Sequence, residues 1–403
     1  MKVLMLSPTI PYPPNNGSRI RIAETLKWLS RENDVTVIAF KETGEGFDAP
    51  PINEQFAQSI EWVIVPNQRT KFQASLRTLV GFLPYRFNRF HAPEFRQEAA
   101  RIVKETSFDL TWVHFLNMTQ FVEGLPREHL GTMLLDQHNA DVLYWKSFLN
   151  SGSAMSRTLA WKNIVNLKMS AVRKMSMFDV ILSVSSEDAL WTRRQLEKSK
   201  YTKTIVSPNG VDLDYFTPSS RWSPDMPNNI VFVGSMEVSM NQEAVVWFVE
   251  HVFPALHRKT KAKLFIVGRR PPEFIRNLER NHEGISVTGT VPDVRPFYEK
   301  AKVVVAPFNK GGGTKLKILE AMAMERPLVA TPVGVHGIPV DDRQHLLVRE
   351  GTGPFSDAVT KILNNDVNVE AMIASAKGFA KARYSWGGIL KGTLEQIQGE
   401  EHC

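Results

Sequence analysis

A chain of 403 residues exceeds what one ordinary core accommodates, and two domains of roughly 150–200 residues are expected. Apolar residues make up 43% and charged residues 23%, which excludes a disordered chain, and the single cysteine, Cys403, excludes a disulfide framework. The net charge of +7 points to anionic partners: phosphates, an acidic lipid surface or nucleic acid.

The N-terminal MKVLMLSPTIPYPP is too short in its apolar run for a signal peptide and reads as a first core strand, Lys2–Leu6. No apolar run approaches the roughly 18 residues of a spanning helix. With one cysteine, the expected compartment is the cytoplasm, with the inner face of the cell membrane as a further expectation. The loop after the first strand holds Asn15, Asn16 and Gly17, with Ser18 as the expected cap of a helix from about Arg19 to Ser30. Such a loop after a first parallel strand is a ligand site or a plain surface turn, and it lacks the G-x-G-x-x-G of a dinucleotide site.

Further strands are expected at Val35–Phe40, Ile60–Val65, Leu110–Phe115, Met133–Asp136 and Phe178–Val184. Residues 68–104 mix basic and aromatic side chains. They read either as an interfacial patch for an acidic membrane or as a helical excursion with core aromatics and solvated charges. No nucleic-acid module is visible. The tetrad Asp136-Gln137-His138-Asn139 ends a strand, where open parallel sheets bind ligands. His138 is a candidate acid, base or sugar-hydroxyl partner with Asp136 orienting it, against the plainer reading of a structural hydrogen bond. Ser156–Met177 carries five basic and no acidic residues and reads as an amphipathic helix with a cationic face.

Thr204–Val206 leads into SPNGVDLDYFTP and a proline-rich stretch to Asn229, the expected interdomain linker. The second half alternates again, with strands at Ile230–Gly234, Lys263–Val267 and Ile285–Thr288 and helices at Asn241–Leu256, Glu273–Arg280 and Val294–Ala301. Strands apolar on both faces mark buried parallel sheets, so the fold class is α/β with two Rossmann-like domains. The expected division is 1–205, 206–384 and a C-terminal helix, 385–403, packing back toward the first domain.

One unit stands out: Val303–Thr331, a strand, the loop Gly311-Gly312-Gly313, a helix with Thr314 as expected N-cap, and a second strand. A strand, glycine loop and helix start offer backbone N–H groups and a dipole to an anion. Lys315 and Lys317 add positive charge where the dipole disfavours it, so they point to a ligand. Glu320 is three residues after Lys317 on the same helical face.

Together SPNGVDLDYF, IVFVGSM, LFIVG, ISVTGTVPDVRPFYEKAKVVVAPF, GGGTKLKILEAMAMERPLVAT and PVGVHGI resemble the retaining GT-B glycosyltransferases of the GT4-type group (glycosyl transferases group 1). DQHNADVLYW, SVSSEDA and the first loop match more weakly, and within the group the chain is similar to bacterial exopolysaccharide-associated sugar transferases. The resemblance implies the GT-B fold, two facing domains around a cleft, and a nucleoside diphosphate sugar donor, UDP- or GDP-linked. By position it implies Glu320 at the donor ribose, Thr314, Lys315 and Leu316 at the diphosphate with Lys317 beside it, and His138 near the reacting sugar. It also implies Gly17 near phosphate and acceptor, and Val291-Pro292-Asp293 along the base, with Gly234 and Arg269 in the same donor set. The group's E-x7-E motif has Gly312 in place of its first glutamate, where amides of Gly311–Gly313 are the expected replacement. GSMEVSM, at 234–240, lacks the group's arginine and lysine.

The implied reaction is transfer of a hexose-type unit to a hydroxyl acceptor, lipid-linked or polysaccharide, with retention. His138, Lys317 and Glu320 are its catalytic candidates, and no metal or other cofactor is called for. Domain closure over the linker would exclude water. The alternatives are a sugar-nucleotide epimerase or hydrolase of the same architecture, and a non-catalytic nucleotide-sugar-binding protein.

Overall fold

Short apolar runs separated by helices assemble into two parallel sheets. The computed structural model describes residues 1–14, 16–42, 60–67, 69–138, 141–146, 149, 154–196, 202–310 and 314–399; Asn139, Cys403 and the expected glycine loop Gly311–Gly313 lie outside them. Two compact units form, one of Met1–Pro208 with Leu390–Cys403 and the other of Asn209–Ile389.

The first unit holds β1 (Lys2–Ser7), β2 (Asp34–Glu42), β3 (Ile60–Asn67), β4 (Leu110–His114), β5 (Thr132–Gln137), β6 (Val180–Ser183) and β7 (Lys203–Val206). Their order is β3-β2-β1-β4-β5-β6-β7, with every neighbour parallel. The second unit holds β8 (Asn229–Val233), β9 (Lys263–Val267), β10 (Ile285–Gly289), β11 (Val303–Ala306), β12 (Leu328–Ala330) and β13 (Leu347–Val348). Their order is β10-β9-β8-β11-β12-β13, again parallel throughout. β4, β6 and β11 are buried along their whole length, as helices on both faces of a parallel sheet require. In each sheet the order reverses beside the first strand, at β1/β4 and β8/β11, which opens a crevice at the carboxyl ends.

Local chemistry shifts several expected boundaries. The first helix spans Gly17–Leu29, and its cap is Asn16, whose side chain accepts from Arg19 N, so Ser18 is not the cap. The expected helix Asn241–Leu256 is two, Ser239–His251 and Phe253–Thr260. Pro254 has no N–H to donate, so it starts a new helix and does not continue the old one. The C-terminal helix covers Trp386–Gln398; within the first unit Thr393 Oγ1 donates to Ser207 Oγ at 3.1 Å and Lys203 Nζ to Gln396 O at 2.7 Å.

Candidate functional site

The helix Leu316–Ala323, the next element after β11, starts at an extended Lys315, with no side-chain cap and no acid in its first turn. Thr314, the expected cap, makes no such bond; its Oγ1 is buried and has no hydrogen-bond partner among the described residues. An uncapped helix start beside an orphaned hydroxyl leaves donors for an anion. Leu316 is the first helical residue.

Lys317 lies along this helix with its ammonium donating to Asn241 Oδ1 at 2.8 Å, 4.8 Å from the Phe232 ring centre and 4.6 Å from that of Phe308. Asn241 is held in turn, its Nδ2 donating to Ser235 O at 2.7 Å. Gly234, directly after β8, makes room for the pair: a Cβ there would stand 2.7 Å from Lys317 Nζ and 3.0 Å from Asn241 Cγ. Gly268 is constrained more severely, since its Cβ would lie 1.8 Å from Gly234 O. Burial pushes Lys317 down to about 7, Glu320 pulling the other way and Lys315 adding to the depression; burial brings Lys315 down to about 8. Its side chain lies 5.6 Å from the Phe308 centre. Burial thus makes the charged forms of both lysines costly beside this helix start, a setting that an anion would relieve.

Glu320 accepts a hydrogen bond from Tyr298 Oη at 2.7 Å. Burial raises its carboxyl above the usual range, against the lowering effects of Tyr298 and Lys317, and burial with Glu320 nearby keeps Tyr298 protonated. Arg269, expected in the donor set, pairs with Glu237 at 3.0 Å, and its Nε donates to Ser235 Oγ. Half-buried Val291 packs on the core and Pro292 is exposed, both after β10, while Asp293 is bound by Arg295 and Tyr215.

In the first unit the register of β4 and β5 sets His114 opposite Asp136. Arg21, buried on the first helix, donates Nε to both Asp136 oxygens at 2.9 Å, and its Nη2 lies 2.8 Å from Oδ1. Its Nη1 reaches Pro208 O at 3.1 Å. Burial alone would raise Asp136, but Arg21, the His114 hydrogen bond and the two histidines hold it far below the usual carboxylate range. His114 Nδ1 lies 3.3 Å from Asp136 Oδ2 and 3.1 Å from His138 Nε2. Because Asp136 can only accept, the proton sits on His114 Nδ1, and His138 Nε2 faces it as an acceptor. His114 Nε2 is then proton-free, consistent with its having no partner among the described residues. Burial lowers both histidines, His138 well below its ordinary value, so both rings are neutral at pH 7. His138 is thereby a Nδ1–H tautomer, stacked on Phe115 at 4.0 Å, and offers a donor more readily than a base.

Among the described residues His114, Asp136 and His138 form one group whose ligand atoms lie within 4.8 Å of one another. Arg21 and the Trp112 Nε1, 3.4 Å from Oδ2, occupy the carboxylate, so a guanidinium stands where a bound cation would be balanced. Gly17, at the start of the first helix, is exposed. Sequence reasoning missed Arg21, His114, Asn241, Tyr298 and Gly268. Only Gly268, within LFIVG, carried a legible signal; the others depend on strand register and helix packing. It missed Phe115 too, whose φ of 68° directly after β4 is rare for a residue with a Cβ.

Residues 227–365 match the family model described as Glycosyl transferases group 1. The chain is 20% identical over 399 residues to an uncharacterized protein of the cps region of Klebsiella pneumoniae, covering 95% of this chain and 96% of that one. Among solved structures it is similar to sucrose-phosphate synthase from Thermosynechococcus elongatus, with a TM-score of 0.71 and 16% identity over 98% of this chain and 99% of that one. It is also similar to Anabaena HepE, solved in complex with UDP and glucose, with a TM-score of 0.65 and 14% identity over 99% and 100%. The chain therefore has the GT-B fold of two parallel-sheet α/β units, and its second unit contains a region similar to the glycosyl transferases group 1 family.

Proposed function

We propose that the protein is a retaining glycosyltransferase that moves a hexose-type unit from a nucleoside diphosphate sugar to a hydroxyl acceptor. The observation that carries this reading is the convergence of Gly234, Asn241, Lys317 and the uncapped start of the helix Leu316–Ala323, inside the matched region. UDP with glucose in the HepE structure supports a UDP-sugar donor. The cps region of the Klebsiella relative supports an acceptor in polysaccharide assembly, lipid-linked or polymeric.

In this reading Lys315, Lys317 and the first-turn amides take up the charge that develops on the diphosphate as the glycosidic bond breaks. The amides of Leu316 and Lys317 and the Thr314 hydroxyl are the hydrogen-bond donors, and Lys317 gains a proton as the diphosphate arrives. Glu320, kept in place by Tyr298, receives the ribose hydroxyls. His138 donates Nδ1–H to the sugar; with Nε2 committed to His114 it does not serve as nucleophile. The cationic groups do the work a divalent metal would do, so the reaction is metal-independent.

The test is a screen of UDP-, GDP- and ADP-sugars for thermal stabilisation, followed by turnover with the best donor. Stabilisation and acceptor-dependent release of nucleoside diphosphate, both lost in Lys317→Ala and Glu320→Ala, are expected. Activity unchanged in both variants would overturn the reading. Release without acceptor would identify a hydrolase, and tight binding without turnover a non-catalytic binding protein.

A further inference from the structure

Large exposed apolar side chains are not scattered over this protein. Of fourteen among the described residues, eight lie on two stretches of the first unit: Phe72, Leu76, Val80, Phe82 and Leu83, and Met155, Trp161 and Met169. Phe72 is 77% exposed, Phe82 74% and Trp161 60%, values a soluble surface seldom presents in a cluster.

The two stretches form one surface. The helix Lys71–Val80 buries only Ala74 and Thr78, so Phe72, Leu76 and Val80, spaced four apart, form an outward ridge. Behind it Asn166, buried on the helix Ala154–Met175, donates Nδ2 to Leu83 O at 3.1 Å and to Thr78 O and Gly81 O at 3.4 Å. Those bonds fix the Phe82–Leu83 turn against the long helix. Lys162 Nζ lies 5.3 Å from the Phe82 ring centre, and Met155, Lys162 and Met169, seven apart, share one line of their helix.

Basic side chains dominate the two stretches, although Arg86 pairs with Asp141, Arg173 and Lys174 pair with Glu123, and Glu94 stands in the adjoining pocket. From Arg69 to Pro93 the chain carries Arg69, Lys71, Arg77, Arg86 and Arg89 and no acid; Ala154–Met175 carries Arg157, Lys162, Lys168, Arg173 and Lys174 and no acid. Beside the ridge a cavity of about 410 Å³ is lined by Arg69, Gln73, Arg77 and His91, with Pro66, Ala92, Pro93 and Glu94 completing it. Gln73 and Arg77 stand on the same helix as the ridge, so the basic pocket opens next to the apolar side chains. No helix among the described residues is long and apolar enough to cross a membrane.

We propose that this face docks the protein onto an anionic lipid bilayer: the Phe72–Leu83 ridge and the adjoining Met155 and Met169 enter the headgroup boundary, and the Arg69/Arg77 pocket receives a lipid phosphate. Apolar area gives depth and basic charge gives selectivity for acidic lipid, the combination that interfacial anchors use. Two-signal binding of this kind is reversible, and it stands whether or not the sugar-transfer reading holds.

The experiment is flotation of the full chain with phosphatidylcholine vesicles, with and without phosphatidylglycerol. The wild type is expected to float with the anionic vesicles only, and to be released by raised salt. Phe72→Ser/Leu76→Ser/Phe82→Ser, on exposed positions, is expected to keep its thermal unfolding curve and lose at least about tenfold in vesicle affinity. Lys71→Glu/Arg77→Glu is expected to lose a similar factor. No flotation of the wild type, equal flotation with neutral vesicles, or full flotation of the triple serine variant would each overturn the proposal. So would sedimentation showing a lipid-free wild-type dimer that the serine variant dissociates, since a second copy would then cover the face.

Discussion

Gly234 and Lys317 are complementary: a Cβ on the first would stand 2.7 Å from the ammonium of the second. The missing side chain lets the ammonium reach Asn241 and lie between the rings of Phe232 and Phe308. Gly234→Ala is expected to displace Lys317 and to weaken nucleoside diphosphate binding at least about tenfold by calorimetry, with the far-UV circular dichroism unchanged. Gly353→Ala, with nothing within 4 Å of its Cβ, is the matched control and should leave binding intact.

Lys317 links this site to pH. Its folded value of about 7 lies below the ordinary 10.5, so an unfolded chain binds more protons between those limits, and stability rises with pH across that window. Below pH 7 the penalty of the enclosed charge is fully present. Lys317→Met is therefore expected to stabilise the unliganded protein at pH 6 by about 1 kcal/mol or more in urea unfolding, and to flatten the rise above pH 7. The same variant should bind nucleoside diphosphate far more weakly.

A diphosphate favours the charged lysines, so binding above pH 7 should take up protons. Calorimetry in two buffers of different ionisation enthalpy is expected to report net proton uptake at pH 8, with affinity falling as pH rises from 7 to 9. Lys317→Arg, which stays charged, should abolish most of that uptake.

Arg21 and Asp136 form a buried pair whose separation leaves an uncompensated charge. Arg21→Met is expected to cost about 3–5 kcal/mol in urea unfolding, and Arg21→Met with Asp136→Leu should recover part of it. Because Asp136 is depressed from 3.8, its contribution is present above about pH 4 and is lost as pH falls below it. In Asp136→Asn the acid-side loss should shrink.

The His114–His138 contact predicts a spectroscopic outcome. Nitrogen chemical shifts of the wild type at pH 7 should assign His138 to the Nδ1–H tautomer, and His114→Phe should free it to exchange between tautomers. In the transfer assay His114→Phe is expected to lower kcat about tenfold or more while nucleotide affinity holds. His138→Ala should lose transfer with the same retained affinity.

The sequence by itself determined the local alphabet of this protein. Alternation of apolar runs with helices required two parallel α/β halves, because strands buried on both faces need helices above and below. The strand–loop–helix–strand order of Val303–Thr331, with Lys315, Lys317 and Glu320 at the helix start, was legible from apolar runs and helical period alone. Tertiary structure decided what those groups meet. Thr314 has no hydrogen-bond partner for its hydroxyl among the described residues and is not the cap, and Arg269 pairs with Glu237. Lys317 finds its partner 76 residues away, and His114 faces Asp136 only through the register of β4 and β5. A proton's position on His138 and the depression of Lys317 follow from desolvation and from charges brought together across the sheet. No local pattern carries either, since both arise only when distant elements exclude water from the same few ångströms.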